Sequence, residues 1–319
     1  MVKRTSEFFL KQFLNRYPAT GFSKLYTTFC FYTRNFLIKI FKDPVIELEL
    51  GGKRVKMNLS YNLPIMLIDR PYYNSALPRL SRFIREKQGH LTFIDIGANI
   101  GDTAILIDEK VPDGNYLCVE ASDFYFKILE ENAKLLKGIT PVKVLCDENE
   151  SKVNVALDVI GDSAVVAKTA GAEMISTTID NLVKKYPSFN KTNILKVDTD
   201  GYDYKVIRGA KLLIESSKPA MFFEFSPNHL IEAGENPVSI FKFLEEKGYT
   251  NMLFYDRFGY IYMNLKTNET DFIERLIEYT KRKKGEYYDI LTFHSSNNGD
   301  FEKFYGSEMN FFSSKTAQN

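Results

Sequence analysis

The chain has 319 residues, of which 44% are hydrophobic and 26% charged, an ordinary balance for a globular protein. Its 42 basic and 41 acidic residues nearly cancel, which argues against a nucleic-acid binder with a global basic field. Cys30, Cys118 and Cys146 form neither a CxxC pair nor a Cys/His cluster, so a disulfide scaffold and a structural zinc site are disfavoured and a reducing, cytoplasmic compartment is expected.

Residues 1–45 carry Lys3, Arg4, Lys11, Arg16, Lys24, Arg34, Lys39 and Lys42 against only Glu7 and Asp43, with Phe and Tyr interleaved. No run reaches the ~18 apolar residues of a membrane span, and charges interrupt every candidate signal-peptide core. The leading expectation is a helical arm packed on the rest of the chain. The other is a basic amphipathic segment on an anionic membrane surface, which would place the protein peripherally at the inner face. Residues 44–59 alternate around Gly51-Gly52 as a hairpin, and 75–88 show helical spacing through Leu77, Leu80, Phe83 and Ile84.

From Leu91 the pattern becomes α/β. Strands are predicted near 91–96, 116–120, 142–146, 193–198 and 220–225, with helices near 101–110, 122–136, 203–216 and 237–247. Residues 153–157 and 164–167, joined through Gly161-Asp162, read as a hairpin insertion. Strands at 249–256 and 259–265, a charged helix at 269–284 and a strand from Tyr288 to Phe293 follow. The division expected is an extension over 1–90, a catalytic domain over 91–297, and a polar, frayed tail over 298–319. The expected fold is α/β, with a mostly parallel seven-stranded sheet and helices on both faces.

Phe93-Ile94-Asp95-Ile96-Gly97-Ala98-Asn99-Ile100-Gly101-Asp102-Thr103 reads as a strand, a glycine turn and a helix start, and Glu120 closes the next strand. In an open α/β sheet such a turn borders the ligand crevice. A bare helix N-terminus suits pyrophosphate, but here Asp95 and Asp102 add negative charge. That charge suits S-adenosyl-L-methionine, which brings a sulfonium and an ammonium. Glu120 stands where an acid can accept ribose hydroxyls. Asp95, Gly97, Asn99, Gly101, Asp102 and Glu120 are therefore the cofactor candidates, with Asp147 beyond the third strand either on the adenine amino group or in solvent.

A second block, Ile194-Leu195-Lys196-Val197-Asp198-Thr199-Asp200-Gly201-Tyr202-Asp203, leads into Val206-Ile207-Arg208-Gly209-Ala210, and a strand from Pro219 ends at Glu224. With the glycine turn, this block resembles the FkbM-type methyltransferase family over roughly residues 91–294. Tyr61-Asn62-Leu63-Pro64 and Tyr72-Tyr73 also look like a lead-in found in some members. The resemblance implies a class I, Rossmann-like, S-adenosylmethionine-dependent enzyme, usually methylating a hydroxyl of a sugar, glycan, polyketide or other natural product. The family commonly shows Asp-x-Glu-Gly-x-Glu, where this chain has shorter acids at Asp200 and Asp203.

Methyl transfer to oxygen needs alignment and a group that takes the hydroxyl proton. Asp198 is the first candidate, followed by Asp200, Glu224 and His229. Their carboxylates can act as a base, orient the hydroxyl or hold a divalent metal; helix capping and pairing with Lys196 or Arg208 are the structural alternatives. The rival functions are a NAD(P)-dependent sugar dehydrogenase or epimerase and a degenerate binding module. The former lacks a third motif glycine and a Tyr-x-x-x-Lys pair, and the retained acids count against the latter.

Overall fold

The structure, a computed structural model, describes residues 2–18, 22–160, 163–283 and 285–316. Two helices, α1 (Val2–Leu14) and α2 (Phe22–Ile40), precede the hairpin β1 (Val45–Leu50) and β2 (Lys53–Asn58), then α3 (Leu63–Asp69) and α4 (Ala76–Gln88). Next come β3 (Thr92–Ile96), α5 (Asp102–Lys110), β4 (Asn115–Glu120), α6 (Asp123–Ala133), β5 (Ile139–Lys143) and β6 (Leu145–Cys146). The hairpin β7 (Ser151–Ile160) and β8 (Ser163–Thr177) leads to α7 (Ile179–Lys185) and β9 (Ile194–Val197). The series continues through α8 (Asp203–Arg208), α9 (Lys211–Ser217), β10 (Ala220–Phe225), α10 (Pro227–Glu232) and α11 (Ser239–Glu246). It closes with β11 (Tyr249–Asp256), β12 (Ile261–Lys266), α12 (Thr270–Arg282), β13 (Tyr288–His294) and α13 (Asn298–Thr316).

The main sheet has eight strands, ordered β12-β11-β13-β10-β9-β3-β4-β5, rather than the seven expected. From β10 to β5 the pairs are parallel, and β13, β11 and β12 add antiparallel neighbours. The outermost strand, β12, which the sequence places at 259–265, folds back on β11 through a turn closed by Gly259 N–H donating to the Asp256 carbonyl at 2.8 Å. Along β3 and β4 the side chains alternate between two cores: Phe93, Tyr116 and Cys118 face α4, α5 and the β1–β2 hairpin. Ile94, Ile96, Leu117 and Val119 face α7, α8 and α11 on the other side. Strands buried on both faces and covered by helices make the layered α/β arrangement that the alternation implied.

Three boundaries differ from expectation. The third strand covers Ile139–Lys143 and includes Pro141. It is an edge strand paired only to β4, where a missing N–H is tolerated. Leu145–Cys146 leaves this edge and pairs with β8 instead. The helix expected over 203–216 breaks at Gly209 and Ala210, where a Cβ on Gly209 would fall 2.4 Å from the Asp147 carbonyl oxygen. The expected hairpin insertion is present as β7 and β8, with its Gly161-Asp162 connection outside the described residues.

The polar tail is instead the helix α13. Phe301 and Phe304 are buried, and Glu308, one turn further on, is 1% exposed. Tyr255 Oη donates to Glu308 at 2.9 Å and Arg79 Nη2 at 2.7 Å, so the buried charge is paired. An acid at the third position of an otherwise apolar stripe conceals the helix from a reading by hydropathy.

Candidate active site

The chain runs β3, β4, β5 toward one edge of the sheet and then returns to lay β9 and β10 on the other side of β3. This reversal opens a crevice at the carboxyl ends of the parallel strands. Ile96-Gly97, Glu120, Asp198 and Glu224 meet there, in a cleft of about 620 Å³. Gly97 adopts φ +79°, and a Cβ there would lie 1.8 Å from the Asp198 carbonyl oxygen. The close approach of the two strand ends thus requires glycine. Gly201 plays the same part at φ +102°, with the His229 carbonyl oxygen 2.7 Å from where a Cβ would stand.

On the β3–β4 side, Glu120 receives the Asn99 and Ser122 backbone N–H groups at 2.9 and 2.7 Å. Burial pushes its carboxyl up to about 7 against those donors. Asp102 opens α5 and accepts the Tyr61 hydroxyl at 3.0 Å; burial pushes it up to about 6 although the Lys196 ammonium opposes the rise. Asp95 is fully buried and accepts Lys196 Nζ at 3.0 Å on one oxygen, while its other oxygen has no hydrogen-bond partner. Burial works against the Lys196 charge, but Asp95, Asp198 and Asp102 outweigh it and hold the ammonium charged.

On the β9–β10 side, Lys196 Nζ reaches Asp198 at 3.4 Å, and Asp198 keeps 47% of its side chain exposed. Asp200 sits at φ +50° and, with Glu224, flanks His229: Nδ1 lies 4.0 Å from an Asp200 oxygen and 3.6 Å from Glu224 Oε1. That Oε1 is buried without a hydrogen bond. Burial, then Asp198, Asp203, Asp200 and Asp289, push Glu224 well above the usual carboxylate range. Asp203 does not share this role, because its oxygens cap the turn by accepting Thr199 and Gly201 N–H at 3.1 Å each. Burial pushes it up to about 8.

Gly97, Asn99, Asp102, Glu120, Asp198, Asp200, Glu224 and His229 therefore share one wall-to-wall cleft. Three expected cofactor contacts do not stand on the wall described for it. Asp95 lies behind, anchoring Lys196. Gly101 turns the chain into α5 at φ +83°. Asp147 accepts the N–H of its own neighbour Glu148 at 2.6 Å. The sequence reading missed Asp289, which is paired directly across the ladder from Glu224 and is pushed by burial up to about 8. Two acids directly opposite in a sheet repel, so this pairing is unfavourable for the fold alone. No local signal marks Asp289; Tyr61 had one, in the lead-in segment.

The wall carries Asp69, Asp102, Glu120, Asp198, Asp200, Glu224 and Asp289 against Lys196, Arg70 and Arg257. Burial raises Asp102, Glu120, Glu224 and Asp289, so a cationic ligand would relieve an existing electrostatic cost. S-adenosylmethionine, with its sulfonium and ammonium, fits that demand. Asp102 at the start of α5 opposes a pyrophosphate there. One ligand atom each from Asp200, Glu224 and His229 also lie within 4.8 Å of one another, a spacing compatible with a divalent cation.

Residues 95–250 match the family model described as the methyltransferase FkbM domain. No curated protein sequence matches the chain. Among solved structures, precorrin-6y C5,15-methyltransferase from Geobacter metallireducens GS-15 is similar at 14% identity, over 70% of this chain and 87% of that one, with a TM-score of 0.39. Methyltransferase FkbM from Methylobacillus flagellatus KT is similar at 15% identity over 60% of this chain and 54% of that one, with a TM-score of 0.36. The METTL16 MTase domain is similar at 11% identity over 92% of each chain, with a TM-score of 0.41. These likenesses are distant, and the family assignment rests on the matched segment.

Proposed function

Because residues 95–250 belong to the FkbM methyltransferase family and so form an S-adenosylmethionine-dependent methyltransferase domain, we propose that the chain methylates a hydroxyl oxygen of a sugar, glycan or other natural product. The observation that supports this reading is the Glu224–His229 pair, 3.6 Å apart, in the same cleft as Glu120. S-adenosylmethionine, when bound, supplies an electrophilic methyl group on a sulfonium. Glu120 would accept the ribose hydroxyls, and Asp102 with the cleft's other acids would face the cationic groups. Glu224, whose Oε1 has no hydrogen-bond donor, and His229 would take the proton of the acceptor hydroxyl as its oxygen attacks. Asp198, held by Lys196, would orient that hydroxyl.

Calorimetry against S-adenosylmethionine and NAD, followed by transfer of a labelled methyl group to a panel of sugar and natural-product acceptors, tests the reading. Binding of S-adenosylmethionine and label on a hydroxyl oxygen are expected. Binding of NAD alone, or label only on nitrogen or carbon, would overturn it. Glu224 and His229 acting as the proton-accepting group predicts that dialysis against a chelator leaves turnover intact. Loss of turnover restored by magnesium or manganese would assign the cluster to a cation instead.

A further inference from the structure

Helix α2 has two unlike faces. Thr27, Cys30, Arg34 and Leu37 are buried. Arg34 Nε donates to the Leu59 carbonyl at 2.9 Å and Nη2 to Asn62 Oδ1 at 3.2 Å, which fixes the helix's rotation on the domain. On the other side, Leu25, Phe29, Tyr32, Phe36 and Ile40 are 72, 56, 67, 60 and 57% exposed. At 3.6 residues per turn their spacing confines them to an arc of about 80°. A contiguous exposed stripe of large apolar side chains marks an interaction surface.

Charge identifies what covers it. α2 contains no acid, and exposed Lys24, Lys39 and Lys42 lie at or just beyond its ends. The one acid of the neighbouring α1, Glu7, is engaged by the Glu47 backbone N–H at 3.0 Å. A symmetric contact with a second copy would bring these lysines against their equivalents. No helix among the described residues is long and apolar enough to cross a membrane, so a lipid partner would be met at its surface. We propose that α2 lies flat in the surface of an anionic bilayer, its stripe at the headgroup–acyl boundary and its lysines among the headgroups. The same helix contributes Phe31 to the wall of the cleft, so docking brings the cleft to the lipid surface. The inference stands on this surface and does not rest on the hydroxyl-methylation reading.

Co-sedimentation of the full chain with phosphatidylcholine vesicles, with and without phosphatidylglycerol, is the test. Partitioning is expected to be about tenfold stronger with the anionic lipid and to fall with added salt. The combined Phe29→Ser, Tyr32→Ser and Phe36→Ser variant should partition about tenfold more weakly while keeping wild-type thermal unfolding and S-adenosylmethionine binding. Absent or equal binding to the two vesicles overturns the proposal, as does unchanged partitioning of the variant. A dimer in gel filtration that the same substitutions dissolve also overturns it. Failure of the wild-type chain to bind S-adenosylmethionine would count against the site reading alone, because vesicle binding is read separately.

Discussion

The two sides of the cleft are built on opposite electrostatic plans. At the β3–β4 side each wall acid has a donor: Glu120 takes two backbone N–H groups and Asp102 takes the Tyr61 hydroxyl. At the β9–β10 side Glu224 and Asp289 face each other across the ladder, and Glu224 Oε1 has no donor. Acids held by donors make a preformed receptor, whereas acids crowded without them stay ready to take a proton. Under the proposed function, this difference would put recognition of the cofactor at one rim and chemistry on the acceptor at the other.

Substituting one residue on each rim would break or sharpen that division. The largest effect is expected from Glu224→Gln, which keeps the side chain's size but not its basicity. Its kcat should fall by about 10²–10⁴ while the cofactor dissociation constant stays at the wild-type value. Weakened cofactor binding with unchanged kcat would reverse the roles of the rims. Glu120→Ala should weaken S-adenosylmethionine binding by roughly ten- to a hundredfold, the loss of a charge-assisted contact, with kcat retained at saturation. Calorimetry and steady-state kinetics on the two variants give the comparison directly.

The smallest effect is on pH dependence. Burial lifts Glu120 from 4.5 to about 7 and Asp102 from 3.8 to about 6, so the folded protein holds these protons over a range where the unfolded chain has released them. Their contribution to stability is full at about pH 4 and is lost as pH rises through about 7. A cationic cofactor prefers the ionised acids, so its affinity should move the other way, about tenfold weaker at pH 6 than at pH 8. A flat profile by calorimetry would show that neither Glu120 nor Asp102 meets the cofactor in its ionised form.

Much of this was legible locally. Period-two and helical spacing located the strands and most of the helices, and the glycine turn with Glu120 marked one rim because short-range backbone geometry demands those residues there. The misreadings have a common origin in long-range partners. The third strand was expected from residue 142, but it starts at Ile139 and takes in Pro141, whose missing N–H is tolerated only because the strand lies at the sheet's edge. α13 looked like solvent-exposed tail because its buried Glu308 is compensated by Arg79 and Tyr255, far away in the chain. Asp95 looked like a cofactor contact, yet Lys196 from a neighbouring strand holds it behind the wall. The arm at residues 1–45 allowed packing or surface exposure as alternatives, and α2 has one face for each.

By itself the sequence determined the α/β alternation, the strand–turn–helix unit and the two acidic blocks, since these follow from side-chain periodicity and from turns that only glycine makes without strain. Only the tertiary structure decided which acids share the cleft, that Asp289 lies opposite Glu224, and that Lys196 neutralises Asp95. Those pairings join residues distant in the chain. Their energetics depend on burial and separation, which no local pattern encodes.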